Sequence, residues 1–479
     1  MYSSFKDTIS AISTPRGRGA IAIIRISGED AIDAVKPFIK TAGSITSFQA
    51  RKAYFARFID QGRLIDEVLM TCYYAPDSYT GENLVEISCH GNDFIASQIL
   101  ETLLKKTRMA EPGEFTLRAF LNHKMDLTRA EAVGNLLMAQ TGKAQKASLM
   151  QLEGKLEKKI KSLLKQITDL RVQCELAIDF IEDEVPVIEN NEIEIKLNRI
   201  SQQLEHLENT GHEGMIIHEG LKICLIGEPN AGKSSIFNKI LNMDRAIVSP
   251  IPGTTRDYLE EAISLDGNLI RISDTAGIRQ SDDLIEKIGI DRSNDLIRSA
   301  DLVLLIIDAT HIQSHSINEN EPHLDHSSDS ILHDFNLHLE ALKHKLSCTY
   351  DDSRFVPLLN KADLLTDSVK SILSEQNILL CSALEENGLD SLKGFLLKRF
   401  EQIDHEIDSG LISNARQLSA VSKAAESIRQ AMNTLKMDTG IEFIAFDLKS
   451  ASISLEEIIG KISTDDILNQ IFENFCIGK

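Results

Sequence analysis

The spacing of apolar residues changes character three times along the 479-residue chain. Over residues 1–120, short apolar runs such as Ala20–Ile26 and Leu84–Ser88 alternate with turn residues, among them Gly17, Gly19, Pro76 and Gly81. That alternation predicts an α+β domain. In residues 121–215 the period lengthens. Leu152, Leu156, Ile160, Leu163, Ile167, Leu170, Cys174 and Ala177 step by three or four, the stripe of one long helix, and Leu197, Ile200, Leu204 and Leu207 begin another. Short buried-strand runs return in 216–385. Helical spacing resumes in 386–479, at Leu418, Val421, Ala425, Ile428, Met432 and Leu435, and again at Leu448, Ala451, Leu455, Ile458 and Ile462. An apolar helix face needs a partner, and the two helical flanks can cover each other. The pattern predicts a multidomain chain: an α+β N-terminal domain, a discontinuous α-helical domain in two parts, and an α/β domain inserted between them.

The inserted segment carries the chemistry. Its first run, Leu221–Ile226, leads into Gly227-Glu228-Pro229-Asn230-Ala231-Gly232-Lys233-Ser234, a G-x-x-x-x-G-K-S loop. A strand that ends in such a turn and opens a helix aims several backbone N–H groups at one point, where they hold polyphosphate. Lys233 is placed to reach the β- and γ-phosphates and Ser234 to bind Mg²⁺. Three further segments follow in order. Gly253-Thr254-Thr255-Arg256-Asp257 offers a threonine hydroxyl for metal and γ-phosphate. Asp274-Thr275-Ala276-Gly277, after the run Leu269–Ser273, offers a metal-side carboxylate and a glycine N–H. Asn360-Lys361-Ala362-Asp363, after Phe355–Leu359, offers a carboxylate that accepts from both N1–H and N2–H₂ of guanine. Adenine has no such donor pair, so the set reads as a GTP-hydrolysing α/β P-loop domain. Many GTPases follow the third motif with a glutamine that orients the attacking water. Here Ile278 stands in that place, so catalysis must recruit a partner residue, a bound cation or a later acid such as Glu286. Asn230 offers a side-chain oxygen to a monovalent cation beside the phosphates, or it caps the turn.

Composition narrows the setting. The formal charge of −21 argues against a broad nucleic-acid footprint, which needs clustered Lys and Arg. The best local RNA-facing candidate is 143–171, where Lys143, Lys146, Lys155, Lys158, Lys159, Lys161, Lys165 and Arg171 outnumber the acids, but the pattern favours a solvated helix face. Seven scattered cysteines without a C-x-x-C pair indicate neither a disulfide framework nor a zinc site. With no membrane-length apolar run and no signal-peptide pattern, a cytoplasmic protein is expected. Residues 311–353 hold seven of the thirteen histidines. His311 and His315 have the i,i+4 spacing of helical metal ligands, but the Asn, Ser and Asp around them favour a solvated surface insertion. The chain finishes Phe475-Cys476-Ile477-Gly478-Lys479, which suits either a reactive thiol or an anion-contacting tail, and is not a prenylation signal.

Taken with further N-terminal motifs, the chain resembles the MnmE (TrmE) family of tRNA-modification GTPases. The resemblance rests on the four nucleotide motifs, the Cys476–Lys479 end, Pro15–Gly19, Arg25–Gly28, Tyr79–Glu82, Glu111–Phe115, Ala119–Asn122 and Lys124–Leu127. It implies an N-terminal folate-binding-like domain that forms a homodimer and takes a 5-formyl-tetrahydrofolate-type donor, with Arg25, Glu86, Lys124 and Lys479 as contacts. It implies K⁺-stimulated GTP hydrolysis, with Asn230, Ser249, Ile251 and Thr254 at the K⁺ site, Ser234 and Thr255 at Mg²⁺, and Glu286 orienting the catalytic water. The implied nucleotide-binding set also contains Ala231, Gly232, Lys233, Ser235, Pro250, Pro252, Gly253, Asp274, Thr275, Ala276, Gly277, Asn360, Lys361, Asp363, Ser382 and Ala383. Cys476 is the candidate thiol in catalysis. A FAD-dependent MnmG-type partner, forming a heterotetramer, is implied for adding a carboxymethylaminomethyl-type group at C5 of wobble uridine in tRNA. Two positions depart from the family: Asn92 in Cys89-His90-Gly91-Asn92, where Gly-His-Gly-Gly is common, and Glu228, where a basic residue is common.

Two other readings compete. A molecular switch in ribosome assembly needs no folate-like motifs and no terminal cysteine. A folate-dependent aminomethyl transferase needs no complete set of nucleotide motifs.

Overall fold

The computed structural model describes residues 7–41, 47–179, 188–242, 260–274, 295–314, 328–345, 354–376, 378–404, 412–437, 439–462, 465–473 and 475–479. Two compact units emerge. The first comprises 1–138, 148–206 and 419–479, and the second 139–147 and 207–418.

In the first unit, β1 (Ile9–Ile12), β2 (Ile21–Ser27), β3 (Ile39–Thr41), β4 (Ala53–Asp60), β5 (Arg63–Tyr73), β6 (Leu84–His90) and β7 (Arg108–Met109) form one sheet in the order β3-β4-β5-β6-β2-β1-β7. Pairing is antiparallel except between β1 and β7. Alternate residues of β2 and β6, Ile24, Ile26, Val85 and Ile87, are buried with Val68, Met70 and the helix residues Ile99 and Leu103. This is the α+β layout that the short apolar runs predict. Beside it, α3 (Glu114–Leu121) and α4 (Leu127–Met138) meet the chain's last helix, Asp465–Phe472, through Leu117, Leu127, Ala130, Leu468 and Phe472. From Leu156 on, the expected stripe lies on the helix Lys155–Asp179, where Leu156, Ile160, Leu163, Ile167, Leu170, Cys174 and Ala177 are all buried; Leu152, expected to begin it, instead ends the helix Gly142–Leu152, and Gly154 turns the chain between the two. The main partner of Lys155–Asp179 is the helix Ile441–Ile459, whose Leu448, Ala451, Leu455 and Ile458 are buried in turn. Ile462, expected to extend that stripe, is exposed because the helix stops at Ile459 and Gly460 turns the chain.

The second unit is built on β8 (Leu221–Gly227), β9 (Glu260–Leu265), β10 (Asn268–Asp274), β11 (Leu302–Asp308), β12 (Phe355–Asn360) and β13 (Leu379–Leu380), in the order β13-β12-β11-β8-β10-β9. All pairs are parallel except β9 with β10. The sheet is buried on both faces, which is why its central strands read as unbroken apolar runs. Two sequence expectations need correction. The helix Asp390–Asp404 falls within 386–479, the segment expected to form the second helical part, yet Leu389, Leu392, Leu396 and Phe400 enter the core of this sheet. The histidine-rich insertion is not wholly a solvated surface: its helix Ser328–Lys345 buries Ile331 and Phe335 on the opposite face. Among the described residues no helix is long and apolar enough to cross a membrane.

Candidate nucleotide and anion sites

The phosphate loop leaves the end of β8 and opens the helix Lys233–Leu241. Asn230 lies at its exposed tip with φ 67°, a left-handed geometry that Asn tolerates. Gly232 has φ 89°, and a Cβ there would stand 2.1 Å from Asn360 Nδ2, so only glycine fits. Asn360 is buried and joins two loops. Its Nδ2 donates to Ala231 O at 2.8 Å, and its Oδ1 accepts from Ala383 N at 3.3 Å. Lys233 is nearly buried, with Nζ donating to Gly227 O and Glu228 O at 3.0 and 2.7 Å. The loop thus holds an ammonium group at its centre. Ser234 and Ser235 are exposed beside it.

The second end of the site lies past β12. Lys361 adopts φ 64°, and its Nζ pairs with Asp308. Burial alone raises the Asp308 pKa, but hydrogen bonds from Lys361 and Thr310 outweigh it and hold the carboxyl below its usual range. Asp363 follows in a short helical turn, and its Oδ1 is shut off from solvent with no hydrogen-bond partner among the described residues. A buried carboxylate oxygen without a donor is costly; the donor edge of guanine suits it. Ser382, buried, accepts from Leu384 N and Glu385 N through Oγ, both at 3.2 Å, shaping the loop that carries Ala383. The backbone of Asp274 ends β10. Ser249, Pro250, Ile251, Pro252, Gly253, Thr254, Thr255, Thr275, Ala276, Gly277, Ile278 and Glu286 lie outside the described residues.

In the insertion, the His338 ring stacks on His311 with centroids 5.5 Å apart, and its Nε2 lies 4.0 Å from Glu228 of the phosphate loop. Among the described residues no group of three or more His, Cys, Asp or Glu is arranged to hold a metal ion. Nor is 143–171 an unbroken basic face: Lys161 pairs with Glu157, Arg171 with Glu175, and Lys143 Nζ donates to Asn268.

The first unit holds a separate polar cluster on β2 and β6. Arg25 and Glu86 are cross-strand partners, joined at 2.8 Å. The Arg25 guanidinium lies 5.7 Å from the Tyr79 ring centroid, and Tyr73 OH lies 3.5 Å from Glu86. The tail of the chain returns to this place. Cys476 O accepts from Gly113 N at 3.4 Å, the backbone oxygen of Lys479 accepts from Phe115 N at 3.1 Å, and Ile477 bridges to Pro112. Burial, then the nearby Arg25 charge, push the Lys479 ammonium below the ordinary lysine value. Arg25, joined to Glu86, is therefore within electrostatic reach of Lys479. Lys124 lies on the adjoining 76–81 turn, where its Nζ donates to Pro76 O at 2.9 Å. Cys476 is exposed. A concentration of two cations beside one carboxylate and two phenols suits a ligand with anionic ends and an amide-like edge, as folate has.

Sequence reasoning missed what supports this cluster. Arg118 is fully buried and bonds Glu114, Glu82 and Asp7. Glu82 in turn accepts from Ser27 Oγ at 2.8 Å. Burial works against the Glu114 carboxylate, yet hydrogen bonds led by Arg108 hold its pKa below normal. The network pins the turn that receives the tail to the strand that carries Arg25. Two of its carboxylates, Glu82 and Glu114, lie in quoted motifs; the signal for the rest was an arginine amid the apolar residues of 115–121.

Known proteins resemble this chain along its length. Residues 8–124 match the family described as GTP-binding protein TrmE N-terminus, and residues 127–476 match the MnmE helical domain. Proteins named tRNA modification GTPase MnmE are similar throughout. The one from Clostridioides difficile is 37% identical, over 99% of each chain. That from Syntrophus aciditrophicus is 39% identical over 99% of this chain and 100% of its own, and that from Aquifex aeolicus 37% over the same shares. The chain belongs to the MnmE family.

Proposed function

We propose that this chain is the GTP-hydrolysing subunit of a tRNA-modifying complex that adds a carboxymethylaminomethyl-type group at C5 of the wobble uridine, with a folate one-carbon donor. The observation that supports the reading is the return of the tail to residues 112–115, which brings Lys479 within electrostatic reach of Arg25, in a unit other than the one holding the nucleotide motifs. A pure switch in ribosome assembly has no use for that second cluster.

In the nucleotide unit, the Gly232–Ser234 backbone and Lys233 bind the phosphates, Asp363 selects guanine, and Ser234 with Thr255 holds Mg²⁺. Asn230, with Ser249, Ile251 and Thr254, would hold K⁺, which would supply positive charge to the transition state. Ile278 has no polar group to orient water, and Glu286 takes that task. In the other unit, Arg25, Lys124 and Lys479 hold the carboxylates of a 5-formyl-tetrahydrofolate-type ligand, and Glu86 accepts from its amino-pyrimidinone edge. Bound there, the folate supplies a one-carbon unit. Cys476, exposed and within electrostatic reach of Lys479, is available to the reacting carbon or uracil. A homodimer, a FAD-dependent MnmG-type partner, and a cytoplasmic site belong to the same proposal.

Reconstitution with tRNA, GTP, K⁺, the flavin partner and folate labelled with ¹³C at its one-carbon unit tests it. The wobble uridine gains one labelled carbon. A modified but unlabelled uridine removes folate from the reaction.

A further inference from the structure

Lys239, on the helix that follows the phosphate loop, is a half-buried cation that the roles above leave unused. Its ammonium group donates to Ser382 O at 3.1 Å, to Ala383 O at 3.4 Å, and to Glu385 O. An ammonium has three donors and no acceptor, and here it meets three carbonyls of one loop. A trans peptide is planar, so a carbonyl turned toward Lys239 sends the next N–H the opposite way. For the 382–383 peptide, that N–H points at Asn360 Oδ1, 3.3 Å away, on the side of the base-reading motif. The N–H of the following peptide meets Ser382 Oγ instead.

We propose that Lys239 is a positioning residue for guanine recognition: by gathering these carbonyls it holds the Ala383 N–H on Asn360 Oδ1, and so fixes the first side chain of the base-reading motif. It also ties the base-reading loop to the phosphate-loop helix, in parallel with the Asn360 bond to Ala231 O. The inference rests on the GTP reading of this site. It adds that base affinity depends on a residue outside the four nucleotide motifs.

The test uses the full chain and equilibrium competition by GDP, IDP and inorganic pyrophosphate. IDP keeps O6 but lacks the N2 amino group. Lys239→Met weakens GDP and IDP by the same factor, roughly 10-fold or more, the size of one charge-assisted hydrogen bond, and leaves pyrophosphate unchanged. Lys239→Gln is held to the same pattern as a second variant. GDP affinity within twofold of the unmodified protein overturns the proposal. So does an equal loss for pyrophosphate, which means that the phosphate loop itself was disturbed. Asp363→Asn, measured alongside, separates the two claims. It loses GDP affinity if this is a guanine site at all, and unchanged GDP binding there rejects the GTP reading rather than the role of Lys239.

Discussion

Gly134 sits mid-helix in α4, where alanine ordinarily stabilises by about 1 kcal/mol. The tail reverses that expectation. A Cβ on Gly134 would lie 2.2 Å from Cε1 and 2.9 Å from Cζ of Phe475, the residue just before Cys476. The ring also stacks at a tilt on Phe472, 5.3 Å between centroids, so it has little room to slide. Overpacking of this kind costs roughly 1–3 kcal/mol. The strain falls on the tail rather than on the helix, because among the described residues the tail is held by the Phe475 ring, a few backbone bonds to residues 112–115 and the packing of Gly478 on Ile12 and Ser13. Gly134→Ala should therefore shift the docking equilibrium of the tail by roughly 5- to 150-fold, at ~1.4 kcal/mol per factor of ten. Hydrogen exchange reads it directly: the Gly113 and Phe115 amides, which donate to the tail, lose protection by that factor. tRNA modification falls in step, while GTP hydrolysis holds, because the nucleotide motifs lie in the other unit. Unchanged protection at both amides, with normal modification, refutes the reasoning.

GTP hydrolysis should be faster in K⁺ than in Na⁺ at matched ionic strength, with a cation taking the place of an arginine finger worth ~10³-fold where fingers operate; Asn230→Ala abolishes the difference, and equal turnover in the two salts rules the cation site out. Burial pushes the His218 imidazole down to about 4, and its Nε2 has no hydrogen-bond partner among the described residues. The unfolded chain takes up this proton near pH 6.5 and the folded one only near 4, so stability is lost as pH falls through that window, by roughly 2–3 kcal/mol. Urea midpoints at pH 7 and pH 4.5 check it: His218→Phe should lose less stability between the two than the unmodified protein, and an identical loss contradicts the assignment.

Much of the fold was legible because its signals are local. The runs Leu221–Ile226, Leu302–Ile307 and Phe355–Leu359 are central strands, and the stripe from Leu156 to Ala177 is one helix face. The nucleotide loops were legible because their chemistry fixes residue types at short spacing, as the contact of Asn360 with Gly232 illustrates. Other features depend on contacts far apart in sequence. Leu392, Leu396 and Phe400 have the same spacing as the bundle helices, and nothing local says which core they enter. Arg118 reaches Asp7 across 111 positions, and Phe115 meets Lys479 at the other end of the chain. Lys239 looks like any surface lysine until the 382–385 loop is folded over it.

The central claim is that the two sites of this chain serve one chemistry on tRNA. Mass spectrometry of wobble uridines, in tRNA from cells lacking this protein, tests that most directly. The account predicts that the carboxymethylaminomethyl-type group disappears from C5, and that it returns with the intact chain but not with one lacking residues 476–479. A full complement of the C5 group in the absence of the protein contradicts it.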